Sequence, residues 1–393
     1  DDVANLGNIE IHRNSSLLKR LDYTIWSSPV DNQQLLAFSP QTVTTRFYQY
    51  KTTNNTYSTV SPEGNFETAK GYLIRTPNTH PTTATVYAGM FTGTPHNGTI
   101  TKELVRNEAG ESYNGVGNPY PSPISFNEFI NANLNNIEGT VWAWRKTNDY
   151  TQSSYTIITK FAYVANAAPG GENNYAVDPH GVLNTGQGFI VKAKPAGGNL
   201  VFTNAMRIGN SSNQFFRTVP STASKFWFNV TDASGSFSQA MVGYTDEATL
   251  DYDNGIDGRA MVDNNINLYT IQAENKLAIH GRPEFTATDV VPVGFKANAA
   301  GSYTFTLGNT EGLFTGNTQA IYLVDSVEGV AVNLKAHAYT FTAEAGTFDN
   351  RFRIAYTTTT LDTEAPVKNE NNVVVYGKAG QLSVVSDEPM ASV

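Results

Sequence analysis

Ala69-Lys70-Gly71-Tyr72-Leu73-Ile74-Arg75 returns later in the chain as Gly186-Gln187-Gly188-Phe189-Ile190-Val191-Lys192. Each is a glycine, an aromatic residue, two aliphatic residues and a cation, a short apolar run of strand length opened by a breaker. Working outward, what precedes the two runs also repeats. Ile25-Trp26-Ser27-Ser28-Pro29-Val30, Leu35-Leu36-Ala37-Phe38 and the alternating Arg46-Phe47-Tyr48-Gln49-Tyr50 precede the first. Gly117-Asn118-Pro119-Tyr120-Pro121-Ser122, Phe126-Asn127-Glu128-Phe129-Ile130 and Val141-Trp142-Ala143-Trp144-Arg145 precede the second. The reading is one β-rich unit used twice, over about residues 23–76 and 113–193, with a polar insertion around 165–175 in the second copy.

The prolines between the copies have a local explanation. Asn118 and Tyr120 each precede a proline and are held extended, while Gly115 and Gly117 permit a tight backbone before them. Ser125-Phe126-Asn127-Glu128 then has capping-box spacing, which predicts a short helix from 126 with Phe129 and Ile130 turned to the core. The segment reads as punctuation between a strand and a helical turn.

Composition points the same way. Only 16% of the 393 residues are charged, and Thr, Asn, Ser, Gly and Tyr abound, a mix that suits strands and turns. Beyond a polar boundary near 215, short apolar runs from Phe226 to Ile354 are spaced by turn residues. The fold class expected is all-β: tandem sandwich or jelly-roll-like domains, 1–214 built from the two related units and 216–360 an antiparallel sandwich. A charged, Pro-containing linker follows over 361–372, then strands at Val373-Val374-Val375-Tyr376 and Gln381-Leu382-Ser383-Val384-Val385. The net charge of -9, without clustered Lys and Arg, argues against nucleic acid as a partner. No apolar run is long enough for a transmembrane helix. With no cysteine there is no disulfide, thiolate metal site or cysteine nucleophile. The start at Asp1-Asp2-Val3 has no signal-peptide pattern and reads as a processed form or a fragment.

Few residues suggest chemistry. Asp251-Tyr252-Asp253-Asn254-Gly255-Ile256-Asp257-Gly258 alternates carboxylates, and Asp251, Asp253 and Asp257 could fold oxygens around calcium. Position five is Gly255, however, and Val262 stands where a bidentate glutamate belongs, so an Asx-type turn without metal is expected. The six histidines are scattered without zinc spacing, and there is no G-x-S-x-G. A carboxylate pair for glycoside hydrolysis has no distinctive context, so the expectation is a protein that is not an enzyme and needs no cofactor. Trp26, Tyr48, Trp142, Trp144 and Trp227 could stack on sugars. Alternation puts Trp142 and Trp144 on one face, so both are core or both form a glycan-binding platform, and core is the reading preferred.

Tyr23-Thr24-Ile25-Trp26-Ser27-Ser28-Pro29-Val30, the Gly-Asn-Pro-Tyr-Pro-Ser run, Phe237-Ser238-Gln239 with Val242-Gly243-Tyr244, and Gly346-Thr347-Phe348-Asp349-Asn350-Arg351-Phe352 together resemble the C-terminal regions of proteins that Bacteroidetes export by the type IX secretion system. The tail around Val373, Val374, Val375, Tyr376, Gln381, Leu382, Ser383 and Val384 is similar to the opening of the Ig-like, type C sorting domain of that family. The resemblance implies secretion across the outer membrane to the cell surface, recognition of those tail residues by a PorV-type shuttle barrel and the type IX translocon, and attachment to surface polysaccharide or lipopolysaccharide after processing. The family's sorting domain continues into a Val-x-Val-Tyr-Asp-like segment and a Gly-Arg turn, whereas this sequence ends at Met390-Ala391-Ser392-Val393, so 373–393 is read as its beginning. Asp325-Ser326-Val327 fits the short O-glycosylation pattern of those phyla, with Ser326 as acceptor.

The expected function is therefore a noncatalytic, adhesin-like surface region carrying a sorting signal. A carbohydrate-binding module, or an accessory region of a secreted hydrolase whose catalytic domain lies upstream, are the alternatives. Glycan binding distinguishes the first two, and the sequence upstream of Asp1 tests the third.

Overall fold

The strand Tyr72–Arg75 lies between Tyr23–Trp26 and Phe47–Lys51, and Thr56–Thr59 completes an antiparallel sheet. Gly188–Ala193 takes the corresponding place between Tyr113–Gly117 and Ile137–Trp144, with Tyr155–Ile158 and Tyr163–Ala167 continuing outward. In both segments a helix follows the first strand, Leu35–Phe38 in one and Phe126–Asn133 in the other. The second helix starts where its capping box predicts, with Ser125 Oγ accepting from the Glu128 amide at 3.3 Å and Phe129 and Ile130 fully buried. These elements come from a computed structural model that describes residues 2–145, 154–167, 181–209, 223–262 and 264–357, and the backbone of 367–368, 373–378 and 381–386. Strand makes up 49% and helix 6%, an all-β sandwich fold. The polar insertion of the second segment, beyond Ala167, lies outside the described residues.

Each segment packs its helix on its own sheet. Leu35 and Phe38 meet Phe47, Tyr72 and Ile74 in one cluster, and Phe126 and Phe129 meet Val141, Phe189 and Val191 in another. These are the same positions of the two segments. The opposite faces are buried as well, since Tyr48, Leu73, Trp142 and Ile190 are 2% exposed or less. Strands covered on both sides read as continuous apolar runs, which is why the quoted stretches show so little alternation.

The segments join through backbone. Trp26 forms a bridge with Gln187, and Val116 forms one with Lys70. The Ser27 amide donates to Gly186 O at 3.0 Å, and the Gly117 amide donates to Ala69 O at 3.2 Å. Exchanging the two segments reproduces the set, the property of an isologous contact about a local twofold axis. Ala69 and Gly186 occupy matching positions and share the left-handed backbone, with φ of 59° and 73°. Gly71 and Gly188 follow two residues later, where a Cβ would strike Val116 O in one case and the Ile25 side chain in the other. Rings continue the joint: Tyr57 packs edge-on against Tyr50 and Trp144, Trp144 does the same against Tyr155, and the Tyr57 and Tyr155 hydroxyls are 3.0 Å apart.

Contacts divide the chain into two compact units, Asp1–Val219 with Asn254–Gly258, and Pro220–Asp253 with Arg259–Val393. Asn254–Gly258 groups with the first unit because its polar groups are used there. Asn254 Oδ1 accepts from the Gly139 amide at 2.7 Å, and the Lys160 amide donates to Gly255 O at 3.1 Å.

In the second unit the strands run in the order Tyr339–Ala343, Gly301–Glu311, Ser224–Asp232, Phe237–Tyr244, Asn275–Arg282, Ile266–Gln272, Val290–Ala297, Gly346–Ala355, Tyr322–Asp325 and Val330–Asn333. The sequence curls over itself, so that Phe226, Phe228 and Phe305 share a core with Val293, Phe295 and Phe352. The antiparallel expectation fails at one place. Phe237–Tyr244 pairs in parallel with Asn275–Arg282, because the intervening chain makes a long excursion and a hairpin before the second strand returns in the same direction. Val367–Lys368, expected as linker, pairs with Val373–Lys378 instead. A polar stretch can do this because the ladder uses main-chain groups, whatever the side chains.

Glycine at the joint gives the first prediction. Gly71→Val and Gly188→Val should each destabilise the first unit by about 1–3 kcal/mol, the usual cost of overpacking a site that cannot retreat. A urea titration followed by tryptophan fluorescence measures it, and an unchanged midpoint would show that the backbones do not approach as described.

Candidate functional site

The aromatic residues proposed for sugar stacking are mostly core. Trp142 is fully buried against Tyr113, with ring centroids 5.1 Å apart, so the Trp142/Trp144 platform is not formed. Trp26, Tyr48 and Trp227 are also buried. Trp144 alone is half-buried, its Nε1 donating to Tyr23 O at 3.1 Å. Strand alternation placed both tryptophans on one face correctly, but that face is covered by the other segment.

The acidic loop divides its carboxylates among separate tasks. Asp251 is exposed, Asp253 accepts from the Thr249 amide at 2.6 Å and from its hydroxyl at 3.1 Å, and Asp257 is fully buried. Among the described residues no three His, Asp or Glu side chains gather as a metal-binding group. Ser326 is exposed in the turn after Tyr322–Asp325, its Oγ accepting from Arg353 at 3.2 Å. The tail residues Val373, Val374, Val375 and Tyr376 pair with Ser386, Val385, Val384 and Ser383, and Leu382 and Gln381 pair with Gly377 and Lys378, in one antiparallel hairpin.

The strongest electrostatic perturbations lie in the second unit and are mutual. Arg351 donates to both oxygens of the wholly buried Asp325, at 2.7 and 3.0 Å, and Tyr339 donates to the same carboxylate at 2.8 Å. Asp325 Oδ1 also receives the Val327 amide at 2.9 Å, so its place before Ser326 is explained by the turn. Elsewhere Arg282 forks onto Asp289 at 2.6 Å, and Tyr244 donates to that carboxylate at 2.7 Å. Burial raises the pKa of Tyr244 and of Tyr356, whose hydroxyls are 2.7 Å apart. His280 faces Arg282 at 3.4 Å, and burial, reinforced by that guanidinium, pushes it down to about 3. Apart from His280 Nδ1, which is buried without a hydrogen-bond partner among the described residues, these groups satisfy one another, which is the work of a structural network.

A cavity of about 360 Å³ in the first unit is different in kind. It opens beside the joint, where Arg13, Asn14, Trp26, Trp144, Arg145 and Asn184 form part of its wall. Its size falls in the range of small-ligand sites. Arg13 comes from Ile9–Leu18, which pairs with Thr85–Gly93 and slips register between Asn14 and Leu17. Such a bulge bends the strand and re-aims its side chains. The Arg13 guanidinium has no acceptor among the described residues, and burial lowers its pKa. Arg145 is 8% exposed and donates to Asn166 O at 3.2 Å. Among the described residues no carboxylate lines the cavity, although the chain as a whole carries a net charge of -9.

Sequence reading missed Arg13. The available signal was the alternation of Ile9–Leu18, which sets Ile11, Arg13 and Ser15 on one half-buried face. The cavity itself had no signal, because its wall is drawn from distant strands.

Two predictions follow from the second unit. Arg351→Met should cost about 3–5 kcal/mol by leaving Asp325 charged and uncompensated. Adding Asp325→Leu should recover part of that but not all, since Asp325 also holds the turn amides; chemical denaturation measures both. For His280 the sign is set by the depressed native pKa: an unfolded histidine protonates near 6.5 while the native one stays neutral, so stability is lost as pH falls from about 6.5 towards 3. His280→Gln should flatten the slope of stability against pH between about 6 and 4 relative to the parent, and equal slopes would contradict the assignment.

No curated protein and no solved structure is significantly similar to the chain. One family model, described as a domain of unknown function (DUF8693), matches residues 1–356 and so covers the first compact unit and most of the second. The chain, with its paired strand–helix segments and its curled second sandwich, belongs to the DUF8693 family.

Proposed function

We propose that this chain is a noncatalytic region of an adhesin-like protein exported by type IX secretion to the cell surface, with its tail acting as the sorting signal. The observation that carries the reading is the hairpin of Val373–Lys378 and Gln381–Ser386, which holds the residues that resemble a sorting domain. With Val367–Lys368 it makes a sheet of three short strands. So small a sheet gains stability by packing against something else, and its open edges are a template for strand addition. A PorV-type shuttle barrel is the partner the resemblance supplies, and the translocon and surface polysaccharide or lipopolysaccharide follow from it. The noncatalytic reading is supported by the ionic clusters of the second unit, whose charged groups are occupied by one another.

Deleting residues 363–393 should leave the unfolding free energy of the remainder within about 0.5 kcal/mol, the range for changes away from a core, and abolish capture by a purified PorV-type barrel. In a Bacteroidetes host, a reporter fused ahead of the chain should reach the surface only when the translocon is intact. Capture of the truncated protein, or surface delivery without the translocon, would overturn the proposal.

A further inference from the structure

The joint between the two segments of the first unit is symmetric in its backbone and asymmetric in its charges. Asn184 stands four residues before Gly188, and Glu67 stands four residues before Gly71. At the first corner Glu67 accepts from Lys70 at 2.6 Å and from Lys102 at 3.3 Å, so the cations there share a carboxylate partner. At the second corner the matching residue is an amide, and the cation beside it, Arg13, is left without a counter-charge among the described residues. Gly186, in the left-handed conformation, lies beside the Arg13 stem, where a Cβ would be in ordinary contact with Arg13 Cγ at 3.4 Å.

A half-buried guanidinium pays a desolvation cost that only an acceptor repays, and a carboxylate is the acceptor whose two oxygens match its fork. The remainder of the wall has the chemistry of a sugar site. Thr156, Thr185 and Asn14 offer hydroxyl and amide groups, while Ile25, Trp26 and Trp144 give an apolar side for ring carbons. The Asn184 side-chain amide makes no hydrogen bond among the described residues, since only its backbone is engaged, with Gln187. We propose that this cavity binds a carboxylated monosaccharide unit, a hexuronate, with Arg13 holding the carboxylate and Asn184 and its neighbours reading ring hydroxyls. The site stands apart from the tail, so it survives or fails independently of the export reading.

Titration calorimetry of the full chain tests it with glucuronate and galacturonate, against glucose, galactose, acetate and inorganic phosphate as separate probes. At least one uronate should bind, with its neutral parent and acetate each weaker by about tenfold or more, the difference one charge-assisted contact makes. Arg13→Gln should weaken uronate binding by a similar factor at an unchanged melting temperature. Asn184→Glu, which restores the acid found at the other corner, should pair with Arg13 and also abolish binding while raising the melting temperature or leaving it as it was. No binding of either uronate, or binding that survives both substitutions, overturns the proposal. Equal binding of acetate or phosphate overturns the sugar assignment and leaves a simple anion site.

Discussion

The first unit depends on two backbone contacts that are copies of each other. Trp26 with Gln187, and Val116 with Lys70, tie the first strand of each segment to the approach of the other segment's last strand. Hydrogen bonds of this kind demand close main-chain approach, and Gly71 and Gly188 provide it where a side chain would collide. Once the joint forms, the inward faces of both sheets are covered, and residues such as Tyr48 and Trp142 become interior. The ring series Tyr50, Tyr57, Trp144 and Tyr155 then seals the joint with edge-on contacts of the kind aromatic quadrupoles favour.

Symmetry of backbone does not enforce symmetry of surface. The turn before each last strand keeps the left-handed residue at Ala69 and Gly186 because the joint requires it. The side chains around that turn are free to diverge, and they do, Glu67 in one copy and Asn184 in the other. Divergence at one corner of an internal repeat leaves the fold intact, since the fold is already secured by the shared contacts. The second unit reaches stability differently. It encloses complete ion pairs, the buried Arg351 with Asp325 and the partly buried Arg282 with Asp289, each with a tyrosine hydroxyl closing the carboxylate. Pairs of this sort are destabilised far more by the loss of one member than by the loss of both.

Several features were legible in the residues alone. The repeated Gly-aromatic-aliphatic run marked a strand, the Ser125/Glu128 spacing marked a helix start, and the turn-spaced apolar runs beyond Phe226 marked a sandwich. These are local properties, set by backbone sterics, capping chemistry and the two-residue period of a strand, and they do not depend on what lies across the fold. The strand in Val367–Lys368 escaped because polar side chains say little about main-chain pairing.

The sequence by itself thus determined the fold class, the order of the repeated runs in both segments, the helix start at Phe126 and the aromatic content of the core. Only the tertiary structure decided that Trp142 is interior, that Phe237–Tyr244 and Asn275–Arg282 run parallel, and that Arg13 meets a cavity walled by Trp144 and Asn184. The reason is that each of these is a relation between residues far apart in the chain. Periodicity assigns a side chain to a face, but what covers that face, or leaves a charge there unpaired, is fixed by which strands come together.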